Sequence, residues 1–151
     1  MSEKAKKVLK TVGKDLLLAA VTILITGTLI YLLRGWPVAA GLRDRAERGE
    51  VASIEITQNG DTVTLTKPDD LTLAAGVTGT LTVAFPGSAT QEQPETEYLF
   101  TFTDGTQTRV GASQSAVFRD GKTYRPAGEK DCTLLFYNMT EGLFFPGRAV
   151  E

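Results

Sequence analysis

The chain contains no histidine and a single cysteine, Cys132, among its 151 residues. Without histidine there can be no Ser-His-Asp or Cys-His catalytic pair and no His-ligated zinc site. One cysteine excludes an internal disulfide. Cys132 lies at an apolar helical position, which suits a small core residue, and no lipobox-like signal precedes it. Phosphate loops and dinucleotide fingerprints are missing too; Gly76-Val77-Thr78-Gly79 lacks the lysine and the strand-to-helix context. Positive charge is scarce after residue 50. Residues 51–151 hold seven Lys or Arg against thirteen Asp or Glu, a net of −6. A surface of that sign lacks the basic face that phosphate binding requires, so nucleic acid is excluded as a partner.

What is present begins with "LLLAAVTILITGTLIYLL", Leu16 to Leu33, 18 residues without a charge. Roughly 20 apolar residues at 1.5 Å each cross a hydrocarbon layer of about 30 Å. The run is apolar on every side, with no polar face to meet water. Lys14 and Asp15 bound it at one end and Arg34 at the other. Tyr31 and Trp36 sit where aromatic rings favour the interface, and Pro37 ends the helix. These features predict a transmembrane helix over residues 16–33, with the lipid bilayer as its partner. Thr22 and Thr26 are spaced for close helix contact, although isolated threonines in such helices usually bond their own backbone. A buried core helix is the competing reading, and about 100 further residues offer little to bury it.

The first 15 residues carry Lys4, Lys6, Lys7, Lys10 and Lys14, and the opposite flank carries Arg34, Arg43, Arg45 and Arg48. That bias predicts a basic cytoplasmic tail, residues 1–15, and an extracytoplasmic domain over residues 51–151 at the cell membrane. Residues 34–50 read as a juxtamembrane linker in which "LRDRAERGE" extends a short polar helix. Val38-Ala39-Ala40 has the small-x-small form of a signal-peptide site, so cleavage after Ala40 competes with a retained anchor.

From Val51 onward the signals are mainly β. Ile54 and Ile56 share one face of a strand, Val63 and Leu65 one face of the next, and Asn59-Gly60 between them accepts the two positive φ angles of a type I′ turn. Tyr98, Phe100 and Phe102 alternate before Asp104-Gly105. Asp120-Gly121 joins Val117-Phe118 to Thr123-Tyr124. Three such dipeptides predict three hairpins, about six antiparallel strands; Asp104 and Asp120 are read as turn residues. Two helices interrupt them. Thr66 and Asp69 have capping-box spacing, with Pro68 in the first turn and Leu71, Ala74, Ala75 and Thr78 on one face; "TLTVAF" after it reads as extended. "DCTLLFYNMTEGLFFP" places Cys132, Leu135, Phe136, Met139 and Leu143 on one helical face, capped by Asp131 and stopped at Gly142 or Pro146, with a strand as competitor. "PGSATQEQPETE" is a loop whose Glu92, Glu95 and Glu97 have no calcium-loop spacing. Runs of strands broken by single helices give an α+β class: a small antiparallel sheet with one or two packed helices.

No catalytic residue, cofactor or metal site is expected. The serines of the outer part, Ser53, Ser88, Ser113 and Ser115, begin no S-x-x-K motif, and Lys67, Lys122 and Lys130 lie in turn or cap settings. Asn138-Met139-Thr140 fits a glycosylation sequon but falls within a predicted helix.

Four motifs carry a resemblance: Ile54-Glu55-Ile56, Thr66 with Asp69, Phe102-Thr103-Asp104-Gly105 and Gly121-Lys122-Thr123-Tyr124. In this order, over residues 51–145, the chain resembles uncharacterised domains of small Gram-positive bacterial lipoproteins and membrane-anchored proteins. The resemblance implies an extracytoplasmic location and no particular activity. The expectation is therefore a single-pass anchored binding or interaction module for an envelope protein, a peptide or a wall polymer, with Phe144 and Phe145 of "GLFFPG" as candidate partner contacts. Two alternatives stand beside it: a structural subunit assembled through its helix, and an envelope enzyme using a Ser/Lys pair.

Overall fold

A computed structural model describes residues 2–84, 93–127 and 131–148; the side chains of Lys7, Tyr31, Leu33, Arg34 and Arg148 lie outside that description. The chain divides into two units, Met1–Leu33 and Arg34–Glu151.

The first unit is helical. Helix α1 spans Glu3–Arg34. Thr22 Oγ1 donates to Leu18 O at 2.9 Å and Thr28 Oγ1 to Leu24 O at 2.7 Å, so these hydroxyls bond their own helix. Leu16, Leu17, Leu18, Ile23 and Leu24 all stand exposed, on every side of the helix axis. Among the described residues, no helix is long and apolar enough to cross a membrane. The structure thus supports the helix expected over residues 16–33 but not the span.

The second unit begins earlier than residue 51. Trp36–Pro37 forms β1 and Leu42–Glu47 forms α2. Val38, Ala39, Leu42 and Ala46 are all buried in the core. The stretch read as a linker is therefore part of the folded domain. There follow β2 (Val51–Gln58), β3 (Asp61–Leu65), α3 (Pro68–Thr78), β4 (Thr82–Val83), β5 (Thr96–Phe102), β6 (Gln107–Ala112), β7 (Val117–Arg119), β8 (Lys122–Tyr124) and α4 (Cys132–Phe144). The domain is α+β. Six strands form one antiparallel sheet in the order β3-β2-β5-β6-β7-β8, and β1 pairs with β4 in a second sheet. The strand count is thus eight rather than six. Of the extra pair, β4 falls within "TLTVAF", read as extended, and β1 escapes sequence reading because a two-residue strand carries no alternation.

The turns follow from local chemistry. Asn59 and Gly60 have φ of 51° and 88°, Asp120 and Gly121 of 49° and 78°, as type I′ hairpins demand. The Asp104-Gly105 hairpin is different: only Gly105 has positive φ, and Asp104 Oδ1 accepts bonds from Thr106 N at 2.9 Å and Thr106 Oγ1 at 2.6 Å. Helix α3 buries Leu71, Ala74, Ala75 and Thr78 as their spacing requires, and Val77 besides. Its cap is Lys67 without a side-chain bond, so the capping box expected from Thr66 and Asp69 does not form.

Helix α4 exists, but its inward face differs from the apolar pattern. Leu135 is 51% and Leu143 45% exposed, whereas Thr133, Phe136 and Thr140 are buried. The threonines tolerate burial because their hydroxyls are bonded. Thr140 Oγ1 donates to Phe136 O at 2.7 Å and lies 2.8 Å from Tyr98 OH; its one proton is used, so the tyrosine is the donor. Burial pushes the Tyr98 phenol well above its usual range. Around this bond the rings of Phe136 and Phe144 lie 5.1 and 6.3 Å from Tyr98. Deleting a buried Phe typically costs ~3–5 kcal/mol, and an exposed substitution within ~0.5 kcal/mol. Phe136→Ala should therefore lower the urea midpoint sharply while Leu135→Ala leaves it nearly unchanged; equal effects would place the wrong face inward.

Charge pairs flank helix α2. Arg45 Nε donates to Glu50 at 2.9 Å, Arg48 Nε to the same carboxylate at 2.6 Å, and the Arg45 guanidinium lies 3.5 Å over the Phe102 ring. Bonds from Arg48, then Arg45, hold the Glu50 carboxyl below its usual range, and bonds from Thr106 do the same for Asp104. Both groups take up protons less readily folded than unfolded. Their stabilisation is full above the ordinary carboxylate range near pH 4 and is lost as pH falls through the lower folded values. The urea midpoint should hold steady from pH 7 to about 5 and drop below about 4, and Glu50→Gln should flatten part of that drop.

Candidate functional site

One cleft of about 660 Å³ lies where the start of β5 and the end of β6 meet the first turn of α4. Inward positions on β5 alternate: Thr96, Tyr98, Phe100 and Phe102 are all buried. Three are aromatic and fill the core. The fourth, Thr96, is 1% exposed and lines the cleft from its floor. Its hydroxyl has no hydrogen-bond partner among the described residues. A buried hydroxyl without a partner is uncommon in a folded protein.

The walls are tied together by backbone and side chains. Asn59 N donates to Glu95 O at 3.2 Å, and Glu95 N to Ala112 O at 3.0 Å. Asn59 Nδ2 donates to Tyr137 OH at 2.7 Å, and Thr133 Oγ1 reaches Gln114 O at 3.4 Å. Deeper, buried Gln58 donates through Nε2 to Tyr137 O at 3.3 Å. The β2–β3 turn, the β6 end and α4 are thereby held in one arrangement. Asp131 stands at the N-cap of α4 without a side-chain cap bond. Glu95 and Asp131 are the charged residues of the described lining, and no lysine or arginine joins them. Leu134 and Phe136 supply apolar surface.

The residues singled out from the sequence fall variously. Phe144 and Phe145 are both half-buried and pack against the core; the exposed apolar side chains of α4 are Leu134, Leu135 and Leu143. Ser113 is buried on the cleft lining, Ser53 half-buried and Ser115 exposed, while Ser88, Glu92 and Lys130 lie outside the described residues. Lys67 and Lys122 are exposed and neither lines the cleft. Glu97 pairs with Arg109 at 3.0 Å. Cys132 is half-buried, its Sγ 3.6 Å from Thr82 O. Asn138 is exposed in the middle of α4. Among the described residues, no group of three or more Cys, Asp or Glu could hold a metal ion. Sequence reading missed Thr96, Asn59 and Gln114 as cleft residues. Thr96 alone left a trace, as a polar residue continuing the inward Tyr98, Phe100, Phe102 alternation.

No known protein family, curated protein or solved structure matches the chain.

The cleft floor depends on Gly111. A Cβ there would lie 2.6 Å from Thr96 O and 3.1 Å from Pro94 Cβ, so no side chain fits without moving β5. Gly111→Ala should destabilise by about 1–3 kcal/mol, as overpacking does, and shift the Thr96 amide resonance; an unperturbed Thr96 would show that the two strands are not held this closely.

Proposed function

We propose that the chain is a membrane-tethered module that binds a ligand or partner on the outer side of the membrane, without catalysis of its own. The binding reading is carried by one observation: a cleft walled by three hydrogen-bonded elements and lined by a buried hydroxyl with no partner among the described residues. Such a group keeps its desolvation cost until something bonds it.

The tether reading rests on the 18 uncharged residues from Leu16 to Leu33 and on the exposed, all-round apolar side chains described among them, which favour lipid over water. Retention of the segment is favoured over cleavage after Ala40. Cleavage there would remove β1, whose Trp36 and Pro37 pair with Val83 and Thr82, together with the buried Val38 and Ala39. The lysine-rich tail favours the cytoplasmic side. The resemblance to domains of Gram-positive lipoproteins and membrane-anchored proteins agrees with this placement.

Topology is the test. The full-length chain, tagged at its C-terminus and produced in a bacterial host, should keep its complete mass and lose its C-terminal domain when intact spheroplasts are treated with protease. Protection of that domain would place it inside the cell. A mass lacking the first 40 residues would make the apolar run a leader.

A further inference from the structure

We infer that the cleft takes an alkylammonium group, such as a lysine side chain of a polypeptide or a free aliphatic amine. This rests on the reading of the domain as a binding module. Charge selects the sign of the ligand. Glu95 and Asp131 line the cleft, and no basic side chain of the described residues does. The first turn of α4 opposes them with roughly half a positive charge, which two carboxylates outweigh.

The orphan hydroxyl is the independent observation. Thr96 lines the cleft, and its buried Oγ1 has no partner among the described residues. It accepts as well as donates, and an ammonium group has three donors to share between it and the two carboxylates. A phosphate or carboxylate ligand would meet two like charges there. Leu134, 53% exposed, and the ring of Phe136 give an aliphatic stem apolar surface to cover. Asn59 and Tyr137, already bonded to each other at 2.7 Å, hold the far wall rigid.

The probes are acetyl-Gly-Lys-Gly-amide, the same peptide acetylated on the lysine Nε, and 1,5-diaminopentane. Each is titrated into the ¹⁵N-labelled full-length chain in dodecyl maltoside micelles. The lysine peptide or the diamine should move the amide resonances of Thr96, Ser113 and Thr133 saturably, and the acetylated peptide should not. Tighter binding of the peptide would assign the ammonium to a polypeptide, and tighter binding of the diamine to a free amine. Asp131→Asn should weaken the winning probe about tenfold, the loss of one charge-assisted bond. Thr96→Val, which keeps the side-chain shape, should weaken it severalfold while the amide resonances of Ala74 and Ala75 in α3 stay in place. Equal or better binding of the acetylated peptide at these residues would overturn the cationic ligand yet leave a binding cleft. A cation whose binding ignores both substitutions, or probes that move none of these amides, would also overturn it, whereas inward topology would count against the tether alone.

Discussion

The bond from Tyr98 to Thr140, buried between sheet and helix at 2.8 Å, is the constraint on which the α+β domain depends. A phenol in the core must find a partner or be costly. Thr140 is the partner, and it can serve because its own proton goes to Phe136 O. That arrangement fixes the rotation of α4 about its axis. It sets Phe136 on the sheet, sends Leu135 and Leu143 outward, and brings Thr133 to Gln114 and Tyr137 to Asn59. The cleft is a consequence: the space left where the first turn of α4 rides over the end of a sheet whose last inward residue, Thr96, is too small and too polar to fill it.

The domain's charges divide by place. Around α2 they are paired, with Arg45 and Arg48 sharing Glu50 and Arg45 also covering Phe102. Such exposed pairs contribute little individually; they lie beside Leu42 and Ala46, the buried residues of α2. In the cleft the charges are of one sign and without a cation among the described lining residues.

Much of the local structure was legible. Asn59-Gly60 and Asp120-Gly121 announced their turns because few dipeptides accept two positive φ angles. The Ile54/Ile56 and Tyr98/Phe100/Phe102 alternations announced their strands, and Leu71, Ala74, Ala75 and Thr78 their helix face. The inward face of α4 was not legible. Counting apolar residues favours Leu135 and Leu143, whereas the actual face includes two threonines whose burial depends on acceptors from Gln114 and Phe136 and on a donor from Tyr98. The role of residues 34–50 was hidden too, because β1 is defined only by its partner β4.

The sequence by itself determined the α+β class, the three hairpins, the uncharged run from Leu16 to Leu33 and the exclusion of histidine chemistry. Each of these follows from composition, or from interactions between residues close along the chain. The tertiary structure alone decided the cleft. Its lining is drawn from residues 59, 95–96, 112–114 and 131–137, segments that meet only when β2, β5 and β6 pair and α4 packs across them. A buried hydroxyl without a partner has no signature in sequence, because whether Thr96 is bonded depends on what the fold brings near it.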